Sequence, residues 1–486
     1  MSVQKSIKKN AILNSIKTFL SLCFPLITFP YSTRILGPEN IGKVNFAQSV
    51  VSYFSIFATL GIWSYAVREA AKVRDDRQKL NQFAFEIFTI NMTATIGAYL
   101  LLFAATMAIP KLADYRMLIL ICSMQIVFST LGMEWIYSAM EDYFYTTVRS
   151  LAFQILSLAL LFLLVKTKSD YLWYAAIHVI ASVGSNLLNF VHARKYISFR
   201  HCGKRVIKKH LKPILTLFAF AIASSIFTTL DTTMLGFLSD DTQVGYYAAG
   251  LKLVRVIRNL FPAVFTVLFA RLAYYHAHGD EESIATLSQK TLCFNFCFAL
   301  PIATGLFLLM NPLIMLFCGT AYLATIPVAR IMCPFIVFSA CSGFLGTGIL
   351  IAYGKESIYL LTIIIAAAID FLLNILLIPK HGANGAAFAT LVTEAFILFF
   401  YLIYLRSFIR KLRLAVPFMQ FMAASLIMGV AVYVTSKRLS NAVMQLIVPT
   451  VVGMIVYGCM LILFRNKYLL DQLKDITSKL KGATGR

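Results

Sequence analysis

Fourteen stretches of this chain carry about twenty apolar residues in near-unbroken succession, and polar residues collect between them. The runs fall near 11–33, 44–66, 83–109, 116–138, 147–165, 171–192, 212–237, 246–270, 291–312, 326–352, 357–378, 384–404, 414–434 and 443–464. A helix needs roughly 20 apolar residues to cross a hydrocarbon core about 30 Å thick. Backbone polar groups left unpaired in lipid are prohibitively costly, so spanning segments are helices or closed barrels. The runs are continuous rather than alternating, which excludes the barrel. The expected fold is an all-α polytopic membrane protein of about 14 transmembrane helices. The eighth run is the least apolar, because Lys252, Arg255 and Arg258 lie in it.

Composition strengthens this picture: 59% of the 486 residues are hydrophobic and only 13% charged. The net charge of +23 invites a nucleic-acid reading, but the excess sits in short loops beside apolar helices. There, topology and anionic lipid headgroups account for it. With the N-terminus cytoplasmic, the loops on its side hold 30 Lys and Arg and the opposite loops 9. Both termini are therefore expected in the cytoplasm, with the chain in the inner (plasma) membrane. The first residues, KSIKKNAILNSIKTFLSLCFPL, have the basic head and apolar stretch of a signal peptide but no small-residue cleavage site, so they read as an uncleaved first helix. Cys293 and Cys297, four apart, make a poor metal site without further ligands. There is no P-loop, no GxGxxG opening a helix and no HExxH, so neither ATP hydrolysis nor a cofactor is expected, and the chain does not read as an enzyme.

A weak internal duplication is present at an offset of about 200 residues. Thr33, Leu36 and Gly37 followed by Ile41-Gly42 resemble Thr233, Leu235 and Gly236 followed by Val244-Gly245. Tyr171, Ala175 and Ala176, opening the sixth run, likewise resemble Gly385, Ala386 and Ala387, opening the twelfth. Six helices return the chain to its starting side, so the halves read as parallel repeats about an axis along the membrane normal. The expected lobes are 1–205 (helices 1–6) and 206–410 (helices 7–12). Residues 411–486 add two helices and a cytoplasmic tail. Two six-helix bundles of this kind leave a central cleft, where transporters hold substrate while the lobes rock.

The segment from Phe29 to Ala71, FPYSTRILGPENIGKVNFAQSVVSYFSIFATLGIWSYAVREAA, closely resembles the opening of Wzx-type polysaccharide flippases, in the multidrug and oligosaccharidyl-lipid exporter superfamily. Glu134-Trp135 with Glu141, Tyr143 and Arg149, and the run YYAAGLKLVR from Tyr246 to Arg255, are similar to later parts of the same family. The resemblance covers nearly the whole chain. It implies movement of an undecaprenyl-diphosphate-linked oligosaccharide from the cytoplasmic to the periplasmic leaflet, for O-antigen, capsule or exopolysaccharide. Membrane lipids, and a polysaccharide polymerase with its chain-length regulator, are the implied partners.

A charge at the bilayer centre costs between about 2.5 and over 10 kcal/mol, so it is usually kept for a pathway or a partner. Bases within the runs include Lys17, Lys252, Arg255, Arg258 and Arg330; the acids are Glu86, Glu134, Asp231, Asp370 and Glu394. Steps of three keep Lys252, Arg255 and Arg258 within about 120° of one another on a helix, as one cationic stripe. The favoured reading places this stripe in the cleft, against a diphosphate or acidic sugars; the alternative is internal salt bridges to Asp231, Asp370 or Glu394. Arg34 and Arg68 end the first two helices and serve either substrate or lipid headgroups, as does Lys17. Arg330, between Pro327 and Pro334, lies on a broken helix suited to a gate, with snorkelling to headgroups an equal alternative. Asp370 and Glu394 either carry a coupling proton or neutralise the stripe, and neutralisation is preferred. Glu86 and Glu134 lie near cytoplasmic helix ends, where water or Arg or Lys neighbours are expected to meet them.

Three other functions fit less well. A drug or organic-cation antiporter on this frame wants acids and aromatics in its cleft, not a basic stripe. A membrane glycosyltransferase or polymerase needs an ordered extramembrane site, and the longest loop has only about 20 residues. A scaffold leaves the intramembrane charges unexplained.

Overall fold

The computed structural model describes residues 7–198 and 207–472; side chains are described for these except at 7–23, 26, 220, 223, 224, 226, 227, 260, 263–267 and 270. Among the described residues every element is helical, and each of the fourteen expected spans overlaps a helical stretch. Nine stretches there are long and apolar enough to cross a membrane. Their outer faces are apolar, with Leu100, Ile155, Leu163, Leu376, Ile403 and Leu463 all more than 60% exposed. Lipid, not water, is the solvent such faces fit.

Helix α1, Ile7–Thr59, joins the first two expected spans. The loop expected between them is a single joint: Gly37, at φ 75° and ψ 172°, turns the chain, and helix resumes at Pro38. That backbone region is nearly glycine-only, and Pro38 is tolerated because the first N–H of a helix has no partner to lose. Helix α2 is Ile62–Val73. Helix α3, Arg77–Ala108, starts under a side-chain cap, with the Asp76 carboxylate accepting from the backbone N–H groups of Gln78 and Lys79 at 3.1 Å each. Helix α4 is Arg116–Gly132, α5 Tyr143–Leu164, α6 Tyr171–Val179 and α7 Lys208–Leu238. Helix α8, Asp241–Arg258, and α9, Leu260–Ala277, together form the eighth span, broken at Asn259.

Helix α10 is Glu281–Phe317, α11 Thr325–Ile331 and α12 Cys333–Gly343, continued by a π-helical segment Phe344–Leu350. Helix α13, Glu356–Tyr404, repeats the plan of α1: two expected spans joined at one residue, Gly382, at φ 52°. A short helix α14, Arg406–Lys411, leads to α15, Ala415–Lys437, and α16, Ala442–Leu463.

The chain divides into two compact units, residues 1–245 and 246–486. In the first, α7 packs along α1. Thr233 Oγ1 donates to Ser49 Oγ at 2.9 Å, and Gly236 leaves room for the Phe46 ring, which a Cβ there would overlap. Gly236 is therefore a packing residue inside a helix, unlike Gly37, with which its sequence context aligns. In the second, α15 and α16 pack on α10 through Cys297, Phe421, Ala424 and Leu461.

Candidate functional site

The cationic stripe lies on α8 in the second unit. Tyr247, Gly250, Val254 and Arg258 share the face of α8 that packs inward. The Tyr247 hydroxyl lies 3.1 Å from Thr390 Oγ1, and Gly250 lets Val328 and Ala329 approach. Each step back along the stripe turns about 60° from that face, so Arg255 and then Lys252 rotate progressively away from it. All three are half-buried.

Arg258, at the helix end, enters a polar cluster. Its Nε donates to Ser339 Oγ at 2.7 Å, and its guanidinium lies 5.5 Å from the Phe335 ring centroid. Ser342 Oγ donates to Glu394 Oε1 at 2.5 Å. Glu394 is 3% exposed and Asp370 2%. Asp370 accepts from Asn374 Nδ2 and from Thr393 Oγ1, both at 3.2 Å, so the two arms of α13 are joined beside both carboxylates. A buried carboxylate requires such donors to offset lost hydration.

Arg330 donates from Nε to the Phe307 carbonyl at 3.1 Å and lies over that ring, linking α11 to α10. Arg68 pairs with Glu69 at 3.0 Å in an exposed position. Arg34 is exposed, and Asp231, on α7, is 6% exposed. The Lys17 side chain lies outside the described residues.

Two networks in the first unit involve residues the sequence marked only in part. Glu86 is 1% exposed, and its Oε2 lies 2.8 Å from His210 Nε2 and 3.1 Å from Lys209 Nζ. His210 Nδ1 lies 2.6 Å from the Tyr65 hydroxyl, so the start of α7 is tied to α2 and α3 through one buried imidazole. The expected basic neighbour of Glu86 is present as Lys209; the histidine and tyrosine carried no motif. Glu134 likewise pairs with Arg149 at 3.0 Å, as expected, and Arg149 also donates to Asn186 Oδ1 at 3.2 Å.

A third feature is a seam of close backbone contact. A Cβ on Gly42 would overlap the Asp241 carbonyl, and one on Gly245 would overlap that of Pro38. Beside it, Tyr115 Oη donates to Asp241 Oδ1 at 2.5 Å and Lys111 Nζ to the Ser239 carbonyl at 3.2 Å. The second unit also contains an apolar cavity of about 560 Å3, lined by Leu300, Phe307, Val337, Leu426 and Val430 among others. Among the described residues no cluster of His, Cys, Asp and Glu fits a metal ion.

Residues 7–276, more than half of the chain, match the family described as polysaccharide biosynthesis protein. A relative in Escherichia coli (strain K12), provisionally named an O-antigen transporter, is 22% identical over 83% of this chain and 97% of its own length. One from Shigella dysenteriae with the same provisional name is 23% identical over 81% of this chain and 99% of its own. Among solved structures, the lipid II flippase MurJ in an inward closed conformation superposes with a TM-score of 0.76 at 19% identity, covering 94% of this chain and 99% of that one. An inward-facing multidrug resistance transporter of the MATE family and MOP superfamily superposes at 0.66 with 12% identity, covering 83% and 99%. These two likenesses establish the shared all-helical fold.

Proposed function

Because the chain belongs to the polysaccharide biosynthesis protein family, as a Wzx-type member of the MOP superfamily, we propose that it carries an undecaprenyl-diphosphate-linked oligosaccharide from the cytoplasmic to the periplasmic leaflet by alternating access. The chain is a multi-pass membrane transporter of the flippase type. The finer reading puts it in the inner membrane with both termini cytoplasmic, delivering repeat units to a polymerase and its chain-length regulator for O-antigen, capsule or exopolysaccharide.

The observation that supports this substrate is the graded stripe on α8. Arg258 reaches the Ser339–Ser342–Glu394 cluster, and Arg255 and Lys252 follow at successive steps of about 60° around α8. A diphosphate would meet the Arg255 guanidinium through paired hydrogen bonds and the Lys252 ammonium as a point charge. Arg34, Arg68, Lys17 and Arg330 form the outlying part of the same proposed path. Asp231, Asp370 and Glu394 act as its counter-charges. The apolar cavity beside Leu300 and Val430 fits a prenyl chain by its chemistry.

The test is Arg255→Ala. Transport of lipid-linked oligosaccharide in proteoliposomes should fall about 10- to 100-fold, the worth of a hydrogen bond to a charged group, while membrane abundance stays near the parent level. Arg255→Lys should restore part of the loss. Depleted protein that recovers on removing Asp231, Asp370 or Glu394 would instead place Arg255 in an internal ion pair.

A further inference from the structure

At one end of the second unit, α9 stops at His278, α10 begins at Glu281, and α13 both begins and ends. A cavity of about 200 Å3 opens among these ends, lined by Glu281, Tyr353, Lys355, Tyr404, Ser407 and Lys411. Lys411 Nζ stands 3.8 Å from Glu281 Oε2, too far for a hydrogen bond. Lys355 Nζ lies 5.2 Å from the Tyr404 ring centroid. The Tyr353 hydroxyl is buried without a hydrogen-bond partner, although its ring packs against His276 with centroids 4.2 Å apart. A buried hydroxyl without a partner costs free energy that a ligand oxygen would recover. Two ammonium groups against one carboxylate leave the lining one positive charge in excess.

Depth identifies the ligand's source. Tyr274, Tyr275, Tyr353 and Tyr404 gather at this end, as aromatic residues do where hydrocarbon meets headgroups. Tyr404 is 40% exposed and continues a bare apolar strip along α13, with Ile403 at 70% and Phe399 at 57%. The basic run Arg406, Arg410, Lys411 and Arg413 follows directly, the arrangement that draws anionic lipid.

We propose that this cavity binds the phosphodiester of an anionic membrane phospholipid, with its acyl chains lying along Ile403 and Phe399. The single negative charge of a phosphodiester matches the excess charge of the lining. Lys355 and Lys411 neutralise its oxygens, Ser407 and Tyr353 donate hydroxyl hydrogen bonds, and Glu281 accepts from headgroup hydroxyls. The site is separate from the α8 stripe and does not depend on the substrate proposed for it.

Native mass spectrometry of the full chain in detergent tests this, with phosphatidylglycerol, phosphatidylcholine and inorganic phosphate offered separately. The parent should retain one phosphatidylglycerol, and Lys355→Gln/Lys411→Gln should weaken retention roughly 25-fold, at about five-fold per lysine. Lys355→Arg/Lys411→Arg should keep it. Tyr353→Phe, the gentlest change, should weaken it a few-fold and guards against misfolding of the double variant. Equal retention of phosphatidylcholine, full displacement by equimolar inorganic phosphate, or unchanged retention in both the Gln/Gln and Phe variants would each overturn the proposal.

Discussion

Arg255 and Arg258 are one turn apart on α8, and a single substitution in each should give opposite phenotypes. Arg258 sits in a cluster where Glu394 is 3% exposed and Ser339 and Ser342 are also buried. Removing the guanidinium leaves the carboxylate without its nearby cation, at a cost on the order of 3 kcal/mol. Arg258→Ala should therefore lower thermal stability and membrane abundance, and Arg258→Ala/Glu394→Ala should recover much of both in the same melting assay. Arg255→Ala should do neither while removing transport. The charges within the apolar runs could be read from the sequence, because an ionised group amid twenty apolar neighbours needs a reason. Most of their partners could not. A serine that bonds Glu394 and a serine that bonds its own helix carbonyl look alike in a sequence, and His210 lies 124 residues from the Glu86 it meets.

Among the elements, α1 and α13 depart most from what the sequence leads one to expect. The stretch between the runs 11–33 and 44–66 reads as a loop, yet within it only Gly37 leaves helical geometry. Whether a Gly-Pro pair opens a loop or a joint depends on what the flanking helices pack against, which is tertiary information. Two glycines five residues apart illustrate this. An Ala side chain at Gly37 would meet no atom within 4 Å, so Gly37→Ala costs backbone strain alone, about 1–3 kcal/mol. At Gly42 the backbone is helical and the obstacle is the Asp241 carbonyl. Gly42→Val should force the seam with Asp241 and Gly245 apart, and cysteine labelling near Gly245 should become faster while transport falls. The joint of α7 to α2 and α3 gives another expected result. His210→Phe keeps the edge-on ring contact with Phe83 but takes from the Glu86 carboxylate its buried imidazole partner, leaving Lys209 and Gln82, so hydrogen exchange at the start of α7 should rise; Glu86→Gln/His210→Phe should reverse part of it.

For the whole molecule, continuous apolar runs separated by basic loops were enough to establish a polytopic helical protein, since lipid admits so few backbone solutions. They could not reveal that residues 1–245 and 246–486 form the compact units, because which neighbours a span packs against is written in small-residue contacts such as Gly236 on Phe46. The proposed topology has its own test. A cysteine placed between Arg194 and Lys212 should be blocked only by membrane-permeant reagents in intact cells, and labelling by an impermeant reagent would reverse the orientation. By the count of spans, Gly37 and Gly382 both lie on the side opposite the N-terminus, and at each the chain turns round on a single residue. A protease or antibody approaching from that side would find almost no loose polypeptide there to grip. Epitope tags and cleavage sites inserted after Gly37 or Gly382 should disrupt the protein, read as loss of membrane abundance.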